Sequence, residues 1–264
     1  ISTGDLNGDQ LEDVFISGSV GQAGVVFLQK PDGSFTAIPQ AALEANKNVE
    51  GVASAFFDAD GDGDLDLYVV SGSNEAPLGS DLYQDHLYLN NGQAVFSEKA
   101  GVLPKETASG TCVQAFDFDA DGKMDIVVGG GAVPGRFPEI AGSMILKNEG
   151  GVFKDVTAAL APAFQKVGMV TDIRFGDLDA DGKAEMIIAG EWMPLCIFKW
   201  NGQIFEDKTE RFGLENSSGF WRSLELADLD GDGDLDLLAG NLGQNTRFHA
   251  SENAPLRLFA NDFD

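Results

Sequence analysis

Aspartates recur at alternate positions of a short loop, and this spacing can gather oxygen ligands around one centre. In the segment DADGDGDLD, Asp58, Asp60 and Asp62 occupy positions 1, 3 and 5, and Asp66 occupies position 9. The carbonyl oxygen of position 7, here Asp64, can complete the set. A cage made only of oxygen atoms suits Ca²⁺, which takes about six to eight oxygen ligands at roughly 2.3–2.6 Å.

Carboxylates packed this closely need a positive charge, because without one they repel and raise one another's pKa values. An EF-hand begins in a similar way, but it requires a bidentate Glu at position 12 and flanking helices. Position 12 is apolar in every copy of the loop: Ile16, Val69, Val128, Ile188 and Ala239. The sequence therefore predicts a metal loop that leads into a strand.

Five copies of the loop occur, at residues 5–13, 58–66, 117–125, 177–185 and 228–236, and a truncated copy stands at 262–264. The five starts lie 53, 59, 60 and 51 residues apart, and five copies in register favour metal binding over a merely solvated turn. The predicted ligands are Asp5, Asn7, Asp9, Leu11 and Asp13; Asp58, Asp60, Asp62, Asp64 and Asp66; Asp117, Asp119, Asp121, Lys123 and Asp125; Asp177, Asp179, Asp181, Lys183 and Glu185; and Asp228, Asp230, Asp232, Asp234 and Asp236.

The copies are not equal, so we expect up to five calcium ions with weaker binding at two loops. The first loop has Asn7 at position 3, and it has Gln10 where the others have a glycine that suits positive φ. The fourth loop ends in Glu185, whose side chain is longer than that of Asp.

Three further elements repeat with the loop and predict the fold. A short apolar run follows each copy, an alternating run such as 113–116 precedes it, and a hairpin with a turn rich in Asn, Asp and Gly lies midway between copies. The unit is thus about four strands, which is typical of a β-propeller blade. We expect an all-β chain forming a single propeller domain or propeller fragment over residues 1–264, with about four to five blades.

Composition narrows the possible functions. The formal charge is −26, with 43 acidic against 17 basic residues, and such a surface repels nucleic acid. The two cysteines, Cys112 and Cys196, lie in apolar runs and can be free thiols or one disulfide. His86 and His249 have no catalytic motif around them, and we interpret both as structural or surface residues. The chain starts directly in a motif and stops within one, so we expect it to be part of a longer polypeptide.

The pattern DxDxDGxxD followed by an apolar strand and Gly, as in residues 117–129, resembles the FG-GAP/VCBS repeat family. That family includes the integrin α-chain head and many bacterial secreted or surface proteins, and the stretch 168–248 is similar to large bacterial members. The resemblance implies a calcium-binding propeller. Because rings in the family commonly have seven blades, it also implies that five loops form part of a larger ring.

These observations favour a non-catalytic, extracytoplasmic module that binds a protein partner or a surface glycan, or serves as a spacer. The alternative is a lectin-like or polysaccharide-lyase propeller, which the family resemblance permits. A lyase needs a base beside an open metal position, and the sequence shows no evident Lys or His there, since Lys123 and Lys183 stand at position 7. Glu191, Trp192, Trp221, Arg222 and Arg247 could line a groove, although packing of the tryptophans between blades is the favoured interpretation.

Overall fold

The computed structural model describes residues 1–243, 251 and 254–259, which fold almost entirely into antiparallel strands. The truncated loop at 262–264, Arg247 and His249 lie outside these residues. The first sheet contains β1 (Ser2–Gly4), β2 (Asp13–Ile16), β3 (Val25–Gln29) and β4 (Phe35–Ile38). The second contains β5 (Gly51–Phe57), β6 (Asp66–Ser71), β7 (His86–Asn90) and β8 (Phe96–Glu98).

The later sheets repeat this plan. The third contains β9 (Gly110–Phe116), β10 (Asp125–Gly130), β11 (Met144–Asn148) and β12 (Phe153–Asp155). The fourth contains β13 (Met169–Gly176), β14 (Glu185–Met193), β15 (Cys196–Trp200) and β16 (Phe205–Asp207). The fifth contributes β17 (Gly219–Ala227) and β18 (Asp236–Asn241), and β14 also pairs with β17, which joins the fourth and fifth sheets.

Strands that are consecutive in sequence are neighbours in each sheet, and the first strands of adjacent sheets contact one another. Short helices lie between some of the strands. The helix α1 (Ala41–Ala45) links the first and second sheets, and α2 (Thr157–Leu160) with a 3-10 turn at Phe164–Lys166 links the third and fourth. Another 3-10 turn, Asp81–Tyr83, lies within the second blade between β6 and β7. None of the helices in the described residues is long and apolar enough to cross a membrane. The arrangement is a partial β-propeller whose sheets are its blades, as the repeat predicted.

Alternation of side chains along the second strand of each blade builds the core. In β6, Leu67 and Val69 pack towards the first blade, whereas Tyr68 and Val70 pack towards the third. Both faces of this strand are therefore buried, which explains its continuous apolar run. Burying one such side chain contributes roughly 1.5–3 kcal/mol, so stacking between blades holds the fold together.

The first and last blades each leave one face uncovered among the described residues. Ile16 and Phe35 on the first blade are 43% and 46% exposed, and Leu238 on the fifth is 57% exposed. Leu238 occupies the position of Tyr68, which is fully buried between blades. The apolar pattern of the terminal blades is thus the same as that of the inner blades, which agrees with a partial ring.

Candidate metal centres

The aspartate at position 1 organises each loop through backbone N–H groups. In the second loop, Asp58 Oδ1 accepts a hydrogen bond of 2.7 Å from Gly61 N, and Oδ2 accepts one of 3.0 Å from Gly63 N. Both glycines have positive φ, at 85° and 92°, a conformation that other residues adopt at a cost. The loop sequence therefore fixes a tight turn between the first and second strands of the blade, and this turn brings positions 3 and 5 towards position 1.

The aspartate at position 9 anchors the loop to the sheet. Asp66 is 1% exposed, and it accepts hydrogen bonds from Ala59 N at 2.9 Å and from Asn90 N at 2.8 Å. Burial raises the pKa of Asp66 to about 6, and the nearby carboxylates of Asp60 and Asp62 raise it further against these hydrogen bonds. A cation would oppose that repulsion, so the electrostatics of the loop favour a bound positive ion.

Carboxylate oxygens converge in four of the five loops, within 4.8 Å of one another in each cluster. The clusters are Asp58, Asp60 and Asp62; Asp117, Asp119 and Asp125; Asp177, Asp179, Asp181 and Glu185; and Asp228, Asp230 and Asp236. Every cluster contains the aspartates at positions 1 and 3 of its loop. The acidic residue at position 5, at position 9 or at both completes the cluster. Hard oxygen donors in this number suit Ca²⁺, so the clusters fit a calcium ion.

The third loop has two buried carboxylate oxygens that lack a hydrogen-bond partner within the described part of the chain, Asp119 Oδ1 and Asp125 Oδ2. Buried polar atoms are normally paired, and burial raises the pKa of Asp125 to about 6. A cation between these oxygens would satisfy both. This observation supports Asp117, Asp119 and Asp125 as residues that would hold the metal.

The first loop differs from the others, as the sequence indicated. Asp5 accepts hydrogen bonds from Gly8 N at 2.8 Å and Gln10 N at 2.7 Å, so the turn itself is preserved. Gln10 has φ of 69°, and glycine at the same position of the other four loops also has positive φ, so the expected positive φ at this position is confirmed. Weaker calcium binding by Asp5, Asn7, Asp9, Leu11 and Asp13 stays a prediction.

Two lysines that sequence reasoning missed project into the acidic loops from the third strand of their blades. Lys199 on β15 contacts Asp179, Asp181 and Glu185, and Lys147 on β11 contacts Asp119 and Asp121. The expectation that no lysine lies beside a loop is therefore wrong. The available signal was a lysine three positions after the first residue of the third strand of the blade, Met144 or Cys196.

The other candidate side chains, His86, the two cysteines and Trp221, make contacts within the fold. His86 Nδ1 lies 2.8 Å from Glu98 Oε1, and Cys112 and Cys196 are buried free thiols. Trp221 packs against the core between the fourth and fifth blades and donates Nε1–H to Ser217 O at 2.8 Å. Packing of Trp221 between blades is thus confirmed.

Comparison with known families agrees with this geometry. The model of the FG-GAP-like repeat matches residues 5–69, 70–128 and 177–239, which together are more than half of the chain. The chain belongs to the FG-GAP-like repeat family. The search of curated proteins found no match.

Proposed function

We propose that this chain is a calcium-binding interaction module that acts outside the cytoplasm and catalyses no reaction. The observation that carries the proposal is the convergence of carboxylates in four repeated loops, each between the first and second strands of a blade. The net charge of −26 adds to the need for cations. In this role calcium holds the loops, and the blades present the remaining surface to a partner.

Calcium would act on more than one blade, because neighbouring loops are connected. Asn90 Nδ2 donates to Leu6 O in the first loop at 2.9 Å, and its backbone N–H donates to Asp66 in the second loop at 2.8 Å. A cation among Asp58, Asp60 and Asp62 would offset the charges of Asp60 and Asp62 that act on Asp66, and it would thereby also restrain the contact between the two blades. The ion stiffens the rim of the propeller, while the apolar faces supply the core.

The proposed location follows from the strength expected of such sites. Extracellular calcium modules bind with Kd of about 10⁻⁴–10⁻³ M, and sites of this strength are filled only where free calcium is near millimolar. We therefore place the module on a cell surface, in a periplasm or in a secreted protein. Its partner is a protein or a surface glycan, and the acidic surface disfavours nucleic acid.

Thermal unfolding with calcium and with chelator tests the proposal. Calcium that binds only the folded state raises the free energy of unfolding by mass action, by about 2.7 kcal/mol at one hundred times Kd. Asp60→Ala and Asp230→Ala should reduce the rise in Tm, whereas Asp81→Ala, which removes an exposed acid outside the loops, should leave it unchanged. Equal unfolding temperatures in calcium and chelator would refute metal binding.

A carbohydrate-binding role is a second candidate, and one surface feature favours it. Trp192 packs edge to face against Phe220, with the ring centroids 4.6 Å apart. An ion pair between Arg222 and Glu191, at 2.7 Å, lies beside these rings. Aromatic rings next to charged groups can recognise sugars. A glycan array with wild type and Trp192→Ala distinguishes this role from protein binding, since a lectin loses its signal in the variant.

The lysines that reach the loops give little support to a lyase role. Lys199 is surrounded by carboxylates that raise its pKa, against the effect of burial. An ammonium group held in this way does not release its proton readily, so it is a poor general base. Absence of unsaturated products from uronic polymers is the result that we expect.

A further inference from the structure

The fourth loop contains its own cation. Lys199 Nζ lies 2.8 Å from Asp179 Oδ1 and 2.9 Å from Asp181 Oδ2, and it also contacts Glu185 Oε1. Lys199 is 8% exposed and Glu185 is fully buried. An ammonium group has three N–H donors, and here three separate carboxylates are available to accept them.

A second cation lies at the edge of this cluster and offsets part of its remaining negative charge. Arg211 lies 2.8 Å from Asp179 Oδ2, whereas Lys199 contacts Asp179 Oδ1. Asp179 is therefore near a cation at both oxygens, although only Oδ1 takes part in a hydrogen bond within the described part of the chain. Asp177, at position 1, is held by the backbone N–H groups of Asp181 and Gly182 at 3.1 and 2.7 Å.

The same oxygens cannot serve the ammonium group and a calcium ion together. Calcium would need Asp179, Asp181 and Glu185 at roughly 2.3–2.6 Å, which are the side chains that surround Nζ. A calcium ion at that centre would lie against the positive charge of Lys199. The two cations therefore compete for one position.

Two sequence changes occur together in this blade and explain why the lysine fits. In the second blade, Asp66 uses one oxygen for Ala59 N and the other for Asn90 N, both backbone groups. In the fourth blade, Glu185 Oε2 accepts a hydrogen bond of 2.8 Å from Leu178 N, as Asp66 does from Ala59 N. The other oxygen of Glu185, Oε1, contacts Lys199 Nζ instead of a backbone N–H group. The position of Lys199 is taken in the second blade by Leu89, which packs against the core between blades.

We infer that Lys199 replaces calcium in the fourth loop, so that this loop is closed without metal while the second loop, which has Leu89 in place of the lysine, needs the ion. The inference rests on the proposed calcium-binding function, and it limits that function to part of the propeller. The third loop is intermediate, because Lys147 contacts Asp119 and Asp121 but leaves Asp125 Oδ2 without a partner among the described residues. The fourth blade would then keep its loop when calcium is removed.

The test counts calcium ions by isothermal titration calorimetry and equilibrium dialysis. Asp181→Asn changes a carboxylate of the fourth loop, and Asp62→Asn changes the matched position of the second loop. We expect Asp62→Asn to lower the stoichiometry by one, or to weaken one site at least tenfold, and Asp181→Asn to change neither. A loss of one ion in Asp181→Asn would overturn the inference.

A second experiment, which looks for a gain of calcium binding, is the stronger test. Lys199→Met removes the ammonium group and keeps a side chain of similar length, so the variant should bind one calcium ion more than wild type. Lys183→Met removes a lysine from the same loop whose side chain is exposed, and it should bind the wild-type number. A Lys199→Met variant that folds and gains no ion contradicts the inference; if it fails to fold, the two Asp→Asn variants decide. Failure of wild type to bind any calcium would instead refute the proposed function, so the two failures are distinguishable.

Discussion

The side-chain amide of Asn148 donates a hydrogen bond of 2.9 Å to the carbonyl oxygen of Ala59, which lies in the metal loop of the preceding blade. The backbone N–H of the same residue donates to Asp125 Oδ1 at 2.8 Å, in the metal loop of its own blade. One asparagine thus connects the second and third loops. In the fourth blade Trp200 stands at this position and packs against Phe118 with ring centroids 5.1 Å apart, so aromatic contact replaces the amide link there.

Replacing Asn148 with Ala should destabilise the protein and weaken calcium binding. Asn148 is 2% exposed, and it also donates to Met124 O and accepts from Gly151 N. A buried group left without its partner costs about 1–3 kcal/mol, and we expect a loss of about 2–4 kcal/mol in total. Urea unfolding measures it, with Asn201→Ala as the control, since Asn201 is exposed and bonds only within its own hairpin. Equal losses in both variants would contradict a link between blades.

Gln10→Gly should stabilise the first loop. Gln10 has φ of 69°, where a residue with a Cβ is strained by about 1 kcal/mol, although glycine is also less restricted when unfolded. We expect a net gain of up to about 1 kcal/mol in chemical unfolding. The reciprocal change, Gly63→Gln at φ of 92°, meets no atom within 4 Å and should cost a similar amount through backbone strain alone. Destabilisation by Gln10→Gly would show that the Gln side chain has a role that the turn does not reveal.

The fold was predictable because its signals are local and repeated. The loop, the strand that follows it and the hairpin each lie within a few residues, so alternation and turn residues identify them without any knowledge of the tertiary contacts. Asp66, for example, was expected as a ligand from its spacing alone. The short helices between blades were not predicted, because segments such as 157–160 show no period of their own.

The contacts between distant segments could not be predicted from the sequence in the same way. Glu185 was recognised as unusual, but Lys199 lies 14 residues further on, in a strand whose register determines which side chains reach the loop. Asn90 and Asn148 looked like ordinary turn residues, since only the stacking of blades brings their amides to a neighbouring loop. Sequence spacing therefore located the acidic residues and missed the cations and amides that decide how each loop is completed.

Cys112 and Cys196 should resist thiol reagents in the folded protein. Both are buried in the core between the third and fourth blades, where burial raises their pKa values to about 12 and about 11. Little thiolate forms near neutral pH, and the thiolate is the reactive species. A colorimetric thiol assay should detect almost no reaction in buffer and two thiols in denaturant. Rapid labelling of the native protein would contradict the packing, and absence of both thiols in denaturant would indicate a disulfide.

Stability should fall as pH rises through the range in which the buried acids Asp85 and Glu106 ionise. Asp85 is 3% exposed and accepts hydrogen bonds from Tyr68 and from Ser71 N, both at 2.7 Å, while Glu106 is 8% exposed. Burial raises the pKa of Asp85 to about 7, and burial together with the Asp85 charge raises that of Glu106 as well. In the unfolded chain the two pKa values are about 3.9 and 4.3.

From about pH 4 to about pH 7 for Asp85, and on to about pH 10 for Glu106, the raised pKa values mean that the folded state holds more protons than the unfolded state, so the free energy of unfolding decreases as pH increases. One pKa unit corresponds to about 1.4 kcal/mol, and we expect a loss on the order of 2–4 kcal/mol.

Glu106→Gln removes one of the acids and leaves an amide that can donate to Asp85, so its unfolding midpoint in urea should depend less on pH. The measurement is made in chelator, and the exposed Glu215→Gln is the control that should keep the wild-type slope. An unchanged slope in Glu106→Gln would show that this pair does not control the pH dependence, and would direct attention to Asp66 and Asp125, whose pKa values are also raised, to about 6.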